Sequence, residues 1–197
     1  KEEEMEHAYP HCWRCKNPII FRSTEQWFIS IDHNGLREKA LRGIDEVHWI
    51  PAWGKERIYG MVAHRPDWCV SRQRVWGIPI VAFYCEGCGA ALLRKDLIDF
   101  VAHRFSQEGA DIWFEEPAQK LLPPGTRCPS CGGDALRKET DILDVWFDSG
   151  VSWAAVLEKN RDLNFPCDLY LEGSDQHRGG FHSSLLTAVG TRGTPPY

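Results

Sequence analysis

Apolar and polar positions alternate along this chain in short blocks of two kinds. Residues 19–31 carry Ile20, Phe21, Trp27, Phe28 and Ile29, β-branched and aromatic types that predict strand. Residues 36–42 predict a short helix, with Gly43 as its C-terminal stop. Residues 47–50 predict a strand ended by Pro51. Two apolar runs, 68–71 and 78–83, flank a charged turn that contains Gly77. Leu97, Ile98, Val101 and Phe105 recur at helical spacing within 96–105, and Gly109 closes that helix. A Pro-rich loop follows at 121–125, then a helix over 151–157 opened near Ser149. Residues 169–171 predict a strand and 181–189 a helix. Strands alternating with helices point to an α/β protein.

With 197 residues and 43% hydrophobic content, the chain has the length of one ordinary domain or two small ones. No apolar run approaches a membrane span. The chain opens on Lys1-Glu2-Glu3-Glu4, an acidic, solvated stretch without Met, and ends directly after a predicted helix. It therefore reads as a piece of a longer protein. No secretory signal pattern opens it, and CxxC pairs suit a reducing, cytoplasmic setting. A net charge of −5 argues against gripping nucleic acid over the whole surface. Residues 55–76 differ: Lys55, Arg57, Arg65, Arg72 and Arg74 outnumber Glu56 and Asp67. That basic ribbon is either a contact for a phosphate backbone or a solvated loop with scattered charge.

Cysteine carries the clearest chemistry. Cys85-Glu86-Gly87-Cys88-Gly89 and Cys128-Pro129-Ser130-Cys131-Gly132 are two CxxC pairs in Gly-rich turns. Four thiolates satisfy tetrahedral Zn²⁺ and leave no open position, so the site they predict is structural. Disulfide pairing is the alternative, and it suits a secreted chain better. Cys12-Trp13-Arg14-Cys15 is a third pair with no partner pair nearby. It lacks the preceding strand of a thioredoxin-like motif, and His11 is an optional further ligand. Cys69 and Cys167 stand alone and read as small buried thiols.

The stretch Asp168-Leu169-Tyr170-Leu171-Glu172-Gly173-Ser174-Asp175-Gln176-His177-Arg178-Gly179-Gly180-Phe181 reads as a strand, a Gly turn and a helix start. In open α/β sheets, ligands sit beyond the carboxyl ends of strands. The polar cluster is therefore either a binding site or a cap, with Ser174 or Asp175 capping the next helix and His177 and Arg178 solvated. Its residue order resembles the class I isoleucyl-tRNA synthetases. Two more stretches carry the same resemblance. Arg65-Pro66-Asp67-Trp68-Cys69-Val70-Ser71-Arg72-Gln73-Arg74-Val75-Trp76-Gly77-Ile78-Pro79-Ile80 is similar to a DWCISRQRxWGxPI segment shared by isoleucyl, valyl and leucyl enzymes. Asp141-Ile142-Leu143-Asp144-Val145-Trp146-Phe147-Asp148-Ser149-Gly150-Val151-Ser152 resembles the DVWFDSGVS motif of the isoleucyl branch.

The resemblance implies part of a class I Rossmann-like catalytic domain interrupted by a small four-cysteine zinc ribbon. Residues 1–34 would leave the editing insertion, 35–82 would be a catalytic and connective segment, 83–135 the ribbon, and 136–197 the second half of the catalytic domain. It implies activation of isoleucine with ATP and Mg²⁺, then transfer to tRNA(Ile), by a soluble, monomeric parent. Glu172 would meet the substrate amino group or adenylate, Gly173 would admit the nucleotide, and Asp175 and Gln176 would hold ribose and amino acid. Trp146 would wall the side-chain pocket, although without the family it reads as a core Trp. Arg72 and Arg74 become candidate tRNA contacts, with salt-bridged structural arginines as the other reading. Cys12 and Cys15 would be half of a zinc site completed by a pair before the editing insertion. HIGH-type and KMSKS-type motifs do not occur, so the chain alone is expected to be inactive. Gly180 departs from the family, which has Trp after HRG, and puts side-chain specificity in question. Other readings are a free-standing zinc-ribbon module that binds tRNA or protein, or a valyl or leucyl relative.

Overall fold

The computed structural model describes residues 4–197; Lys1, Glu2 and Glu3 of the acidic opening lie outside the described residues. Helices and short strands are mixed, and every ladder among the described residues is antiparallel. β1 (Phe28–Ile29) pairs with β2 (Trp68–Cys69), with Phe28 opposite Cys69. Between them lie helices α1 (Leu36–Glu46) and α2 (Trp53–Ala63). β3 (Ser71–Arg72) continues the ribbon towards a three-stranded sheet built from β4 (Phe83–Cys85) and β5 (Ala91–Leu92). Helices α3 (Lys95–Glu108) and α4 (Ile112–Glu115) follow, and β6 (Leu136–Lys138) completes that sheet in the order β5-β4-β6. β7 (Ile142–Leu143) then returns to pair with β3. Short helices α5 (Val145–Gly150) and α6 (Ser152–Val156) lead to the long α7 (Gly180–Arg192).

Two apolar clusters hold these pieces. One gathers Phe83, Leu92, Leu97, Val101, Trp113, Leu121 and Leu136 under the three-stranded sheet. The other packs α1, α2 and the β1–β2 ribbon against α7, through Ile31, Ile44, Ile58, Val62, Trp68 and Leu185. α7 is buried from Gly180 to Val189. Its Ser184 hydroxyl donates to the Gly180 carbonyl at 2.6 Å, which satisfies a polar group that burial would otherwise penalise. α5 lies so close to α7 that a Cβ on Gly150 would stand 2.9 Å from the Ser183 backbone carbon.

Several expectations need correction. The run at 19–31 forms a ladder only at Phe28–Ile29, and Ile20 and Phe21 are exposed. Gly43 does not stop α1; it is buried inside it, where a Cβ would meet the Pro195 ring at 2.8 Å. Residues 47–50 form no strand and run into α2. That helix escaped the periodicity because its buried stripe is Gly54, Ile58 and Val62, and glycine hides the first position. The helix expected over 151–157 appears as α6, capped at Val151; Ser149 does not open it but lies in the unexpected helix α5, which opens at Asp144, whose carboxylate accepts from the Trp146 N–H at 3.3 Å. Residues 169–171 pair with no strand, and Leu169 and Leu171 are 70% and 80% exposed. A strand needs a neighbour for its backbone groups, and the described residues supply none there. The helices at 96–105 and 181–189 appear as α3 and α7, with Gly109 at φ 87° ending α3. No helix of the described residues is long and apolar enough to cross a membrane.

The joint between these pieces is a carboxylate. Asp144 is 5% exposed and accepts from the Trp68 indole N–H at 3.0 Å, while the Arg72 guanidinium sits at 2.9 Å. Truncation to Ala removes three donors' partner at once and leaves the buried Trp68 N–H unpaired. Asp144→Ala is expected to lose about 3 kcal/mol of unfolding free energy. Urea denaturation of the variant measures this, and a loss below about 1 kcal/mol would show that the joint is not Asp144.

Candidate functional site

The four cysteines of the sheet module converge. Their Sγ atoms all lie within 4.8 Å of one another, with Cys85 and Cys131 at 3.5 Å and Cys88 and Cys128 at 3.6 Å. Sulfurs at the corners of a zinc tetrahedron stand about 3.8 Å apart, as Zn–S bonds of about 2.3 Å require. The donor set therefore fits a metal ion. No disulfide joins these residues; all eight cysteines are free. The Cys131 backbone N–H, aided by that of Ser130, brings the Cys128 thiol down to about 6. Against a lowering by the Ala90 backbone N–H, the Cys131 and Cys128 sulfurs push the Cys88 thiol up to about 12. The cluster thus holds its protons unevenly, and a cation would displace them.

Each pair sits on the same backbone turn. The Gly89 N–H donates to the Cys85 carbonyl at 2.8 Å, and the Cys85 N–H to the Ala90 carbonyl at 2.9 Å. In the second pair, Gly132 donates to Cys128 at 2.9 Å and Cys128 to Gly133 at 2.8 Å. The left-handed glycines, φ 74° and 76°, make this turn possible. Cys12 and Cys15 repeat it: Lys16 donates to Cys12 at 2.8 Å and Cys12 to Asn17 at 2.8 Å. Here Lys16 takes the left-handed position at φ 62°, a conformation rarely held by residues with a side chain. No third ligand joins this pair among the described residues, and His11 Nδ1 instead faces the Tyr9 carbonyl. Cys69 and Cys167, expected to be buried, are only partly so.

In the other apolar cluster, α7 opens on Gly179 and Gly180, about which three side chains crowd together. A Cβ on Gly179 would fall 2.3 Å from Gln176 Oε1 and 2.8 Å from the Trp146 ring. A Cβ on Gly180 would fall 2.3 Å from Glu172 Oε1. Glu172, Gln176 and Trp146, separate in the chain, therefore meet across Gly179-Gly180. The Gly180 N–H donates to Gln176 Oε1 at 2.9 Å and orients that amide. Asp175 accepts from Gln176 Nε2 at 3.0 Å, and a Cβ on Gly173 would press on its carboxylate. Trp146 is 40% exposed, so it is not a core Trp; it lines a 780 Å³ cleft with Arg72, Arg74, Trp76 and Asp148. Glu172 borders a separate 350 Å³ cleft with Trp153, Leu157 and Tyr170.

Neither Ser174 nor Asp175 caps α7, whose N-cap is Gly179, and the two sit in a short 3-10 turn at Ser174–His177. His177 is not solvated either. It is buried against Trp49, Trp53 and Phe181, with Nδ1 at 2.7 Å from the Ser174 carbonyl. It anchors the polar turn to α2, a contact invisible without the tertiary structure. The two candidate tRNA contacts part company. Arg72 is tied to Asp144 and donates to the Cys69 carbonyl at 2.9 Å and the Ser71 carbonyl at 2.8 Å. Arg74 is exposed and has no ion pair among the described residues.

A family model described as tRNA synthetases class I (I, L, M and V) matches residues 3–197. The chain is 64% identical over 197 residues to an isoleucine–tRNA ligase of Syntrophotalea carbinolica, which covers 100% of this chain and 21% of that protein. It is 64% identical over 193 residues to one of Geobacter sulfurreducens, covering 98% and 21%. It is 62% identical over 196 residues to one of Carboxydothermus hydrogenoformans, again 98% and 21%. The chain thus spans about a fifth of the length of the curated relatives it matches.

Gly150 and Gly180 make a paired test of which close contacts are rigid. A methyl on Gly150 meets α7 backbone, which cannot step aside, and overpacking of that kind costs about 2 kcal/mol. A methyl on Gly180 meets the end of the exposed Glu172 side chain, which can swing away. Gly150→Ala is expected to lower stability by about 2 kcal/mol, and Gly180→Ala by less than about 0.5 kcal/mol. Chemical denaturation of both variants checks this, and equal losses would refute the distinction.

Proposed function

The chain belongs to the class I tRNA synthetases of the I, L, M and V group, and from that premise we propose that it is an internal part of an isoleucine–tRNA ligase. The parent activates isoleucine with ATP and Mg²⁺ to isoleucyl-adenylate, releases pyrophosphate, and moves the acyl group to tRNA(Ile). The observation that carries the site assignment is the meeting of Trp146, Glu172 and Gln176 over Gly179-Gly180. An aromatic wall, a carboxylate and an oriented amide are what an aliphatic amino acid needs: apolar area, a partner for its ammonium ion, and a polar fix. In this reading Gly173 admits the nucleotide and Asp175 holds the Gln176 amide in place. Arg74 is the tRNA-facing arginine, and Arg72 positions the ribbon through Asp144. Activation is an in-line displacement at phosphorus with pyrophosphate leaving, transfer is attack of a tRNA ribose hydroxyl on the acyl carbon with AMP leaving, and both are advanced by positioning and charge stabilisation. The chain carries neither a HIGH-type nor a KMSKS-type motif, so this piece by itself does not aminoacylate.

The fold that supports this reading is a Rossmann-like catalytic domain to which this piece contributes the second half, at 136–197, with residues 169–171 as a strand awaiting its neighbours. Residues 1–34 leave the editing insertion, 35–82 form the catalytic and connective segment, and 83–135 are a zinc ribbon. Cys85, Cys88, Cys128 and Cys131 would hold structural Zn²⁺, tying the end of β4 to the Cys128–Cys131 turn. Cys12 and Cys15 form half of a second site, supported by the backbone turn they share with the other two pairs. The ligands that complete it come from elsewhere in the parent.

Two measurements test these proposals. In the full-length enzyme, Glu172→Gln is expected to lower kcat/KM for isoleucine-dependent ATP–pyrophosphate exchange by about a hundredfold. An unchanged value removes Glu172 from the site. For the metal, elemental analysis is expected to find zinc at the four-cysteine site and Cys128→Ser to lose it. Zinc affinity is expected to fall as pH drops, because the raised Cys88 and Cys131 thiols hold their protons in the empty site, and to fall more steeply below about 6, where the Cys128 thiolate also takes up a proton. Affinity that is flat between pH 8 and pH 5 would exclude thiolate coordination.

A further inference from the structure

A 570 Å³ cleft opens beside the C-terminal end of α2 and the start of α7, away from Glu172. Its walls hold four arginines, Arg57, Arg65, Arg72 and Arg178, against two aspartates, Asp67 and Asp144. Neither aspartate forms an ion pair with Arg65 or Arg178 among the described residues. Asp67 accepts from the Ile31 N–H at 2.9 Å, and Asp144 holds Arg72 and the Trp68 indole. Arg65 and Arg178 are left without a carboxylate within ion-pairing distance among the described residues. Arg65 Nε is buried and unpaired, although its guanidinium lies over the Trp68 ring at 5.2 Å.

The third unpaired group is deeper. His182 on α7 is 2% exposed, lines the same cleft, and has no partner for either ring nitrogen. Burial first, then the Arg65 and Arg178 charges, brings its pKa down to about 3, so it is a neutral imidazole able to donate one N–H. Burial and then the Arg178 charge also lower the Arg65 pKa, with the Asp144 carboxylate opposing them less strongly. Like charges held together beside buried, unsatisfied polar atoms are unfavourable unless an anion joins them. Arginine forks match the tetrahedral oxygens of phosphate, and the imidazole N–H adds a further donor.

We propose that Arg65, Arg178 and His182 form a phosphate-binding site separate from the amino-acid pocket. The phosphate belongs either to the backbone of the tRNA acceptor end or to released pyrophosphate. Only that choice of source rests on the proposed function; the site itself does not.

The test is arginine labelling with phenylglyoxal in the full-length enzyme, with Arg178 modification read by peptide mass spectrometry. Arg178 is exposed and lines this cleft beside the Asp175–Gln176 turn, and Arg65, which lines this cleft alone among the clefts described, separates protection here from protection at that turn. Pyrophosphate and a short acceptor-stem RNA are titrated separately as protectants. At least one is expected to protect Arg178 saturably, and the one that does so at lower concentration is the source. Arg65→Gln is expected to raise the half-protecting concentration about tenfold or more, since a charge-assisted pair is lost. Arg57→Gln, at the solvent edge, serves as a second variant should Arg65→Gln fail to fold, and is expected to raise it by at least about threefold. No protection by either compound, or protection unchanged in a folded variant, overturns the site. Because amino-acid activation is not read, protection of Arg178 survives even if the parent activates another amino acid.

Discussion

The carboxylate of Asp144 ties together stretches that lie far apart in the chain. It closes the first turn of α5, holds the Trp68 indole from β2, and pairs with Arg72 of β3. A buried carboxylate is stable only when its oxygens are met by donors, so the three donors and the acid require one another. The same residue sets where Trp146 stands, because Trp146 donates its backbone N–H to it. A core contact and the place of a cleft-lining Trp are therefore one arrangement.

A second buried carboxylate repeats the device at the other joint. Glu139 accepts from the Trp27 indole at 2.8 Å and the Tyr84 hydroxyl at 2.7 Å, and from the Thr140 and Asp141 N–H groups. Burial, then the Glu139 hydrogen bond, pushes the Tyr84 hydroxyl up to about 12. Trp27 belongs to the N-terminal segment, Tyr84 to the cysteine module, and Glu139 follows directly on β6 as the chain leaves it. The module is thus held to the rest by directional polar bonds as well as by its own apolar cluster, which fixes orientation where apolar contact alone would leave it loose.

Glycine does the remaining positioning, at places where two backbones or a backbone and a side chain must touch. Gly150 lets α5 approach α7, and Gly179 and Gly180 let Trp146, Gln176 and Glu172 converge. The helix start is consequently bare of side chains where the polar groups gather. A larger residue at Gly180 would take the space now filled by the Glu172 carboxylate, so the residue at this position and the posture of Glu172 are linked.

Sequence by itself determined the chemistry that depends on residue type and short spacing. The two CxxC-Gly turns, the helices at α3 and α7, the Gly109 terminator and the family resemblance of three long motifs were legible because each is local. Tertiary structure decided what depends on neighbours. The apolar run at 169–171 is extended but unpaired, since a strand's identity lies in another strand's hydrogen bonds. Gly43 looked like a helix stop and is a packing contact with Pro195, because a glycine's role follows from what approaches it. Arg72 and Arg74 look alike in the chain and differ entirely in place, one bound to Asp144 and one exposed. His177, expected to be solvated, is buried and satisfied by the Ser174 carbonyl, and His182 is buried with both nitrogens unpaired beside two arginines. Burial and charge pairing sum over residues remote in sequence, so no local pattern encodes them.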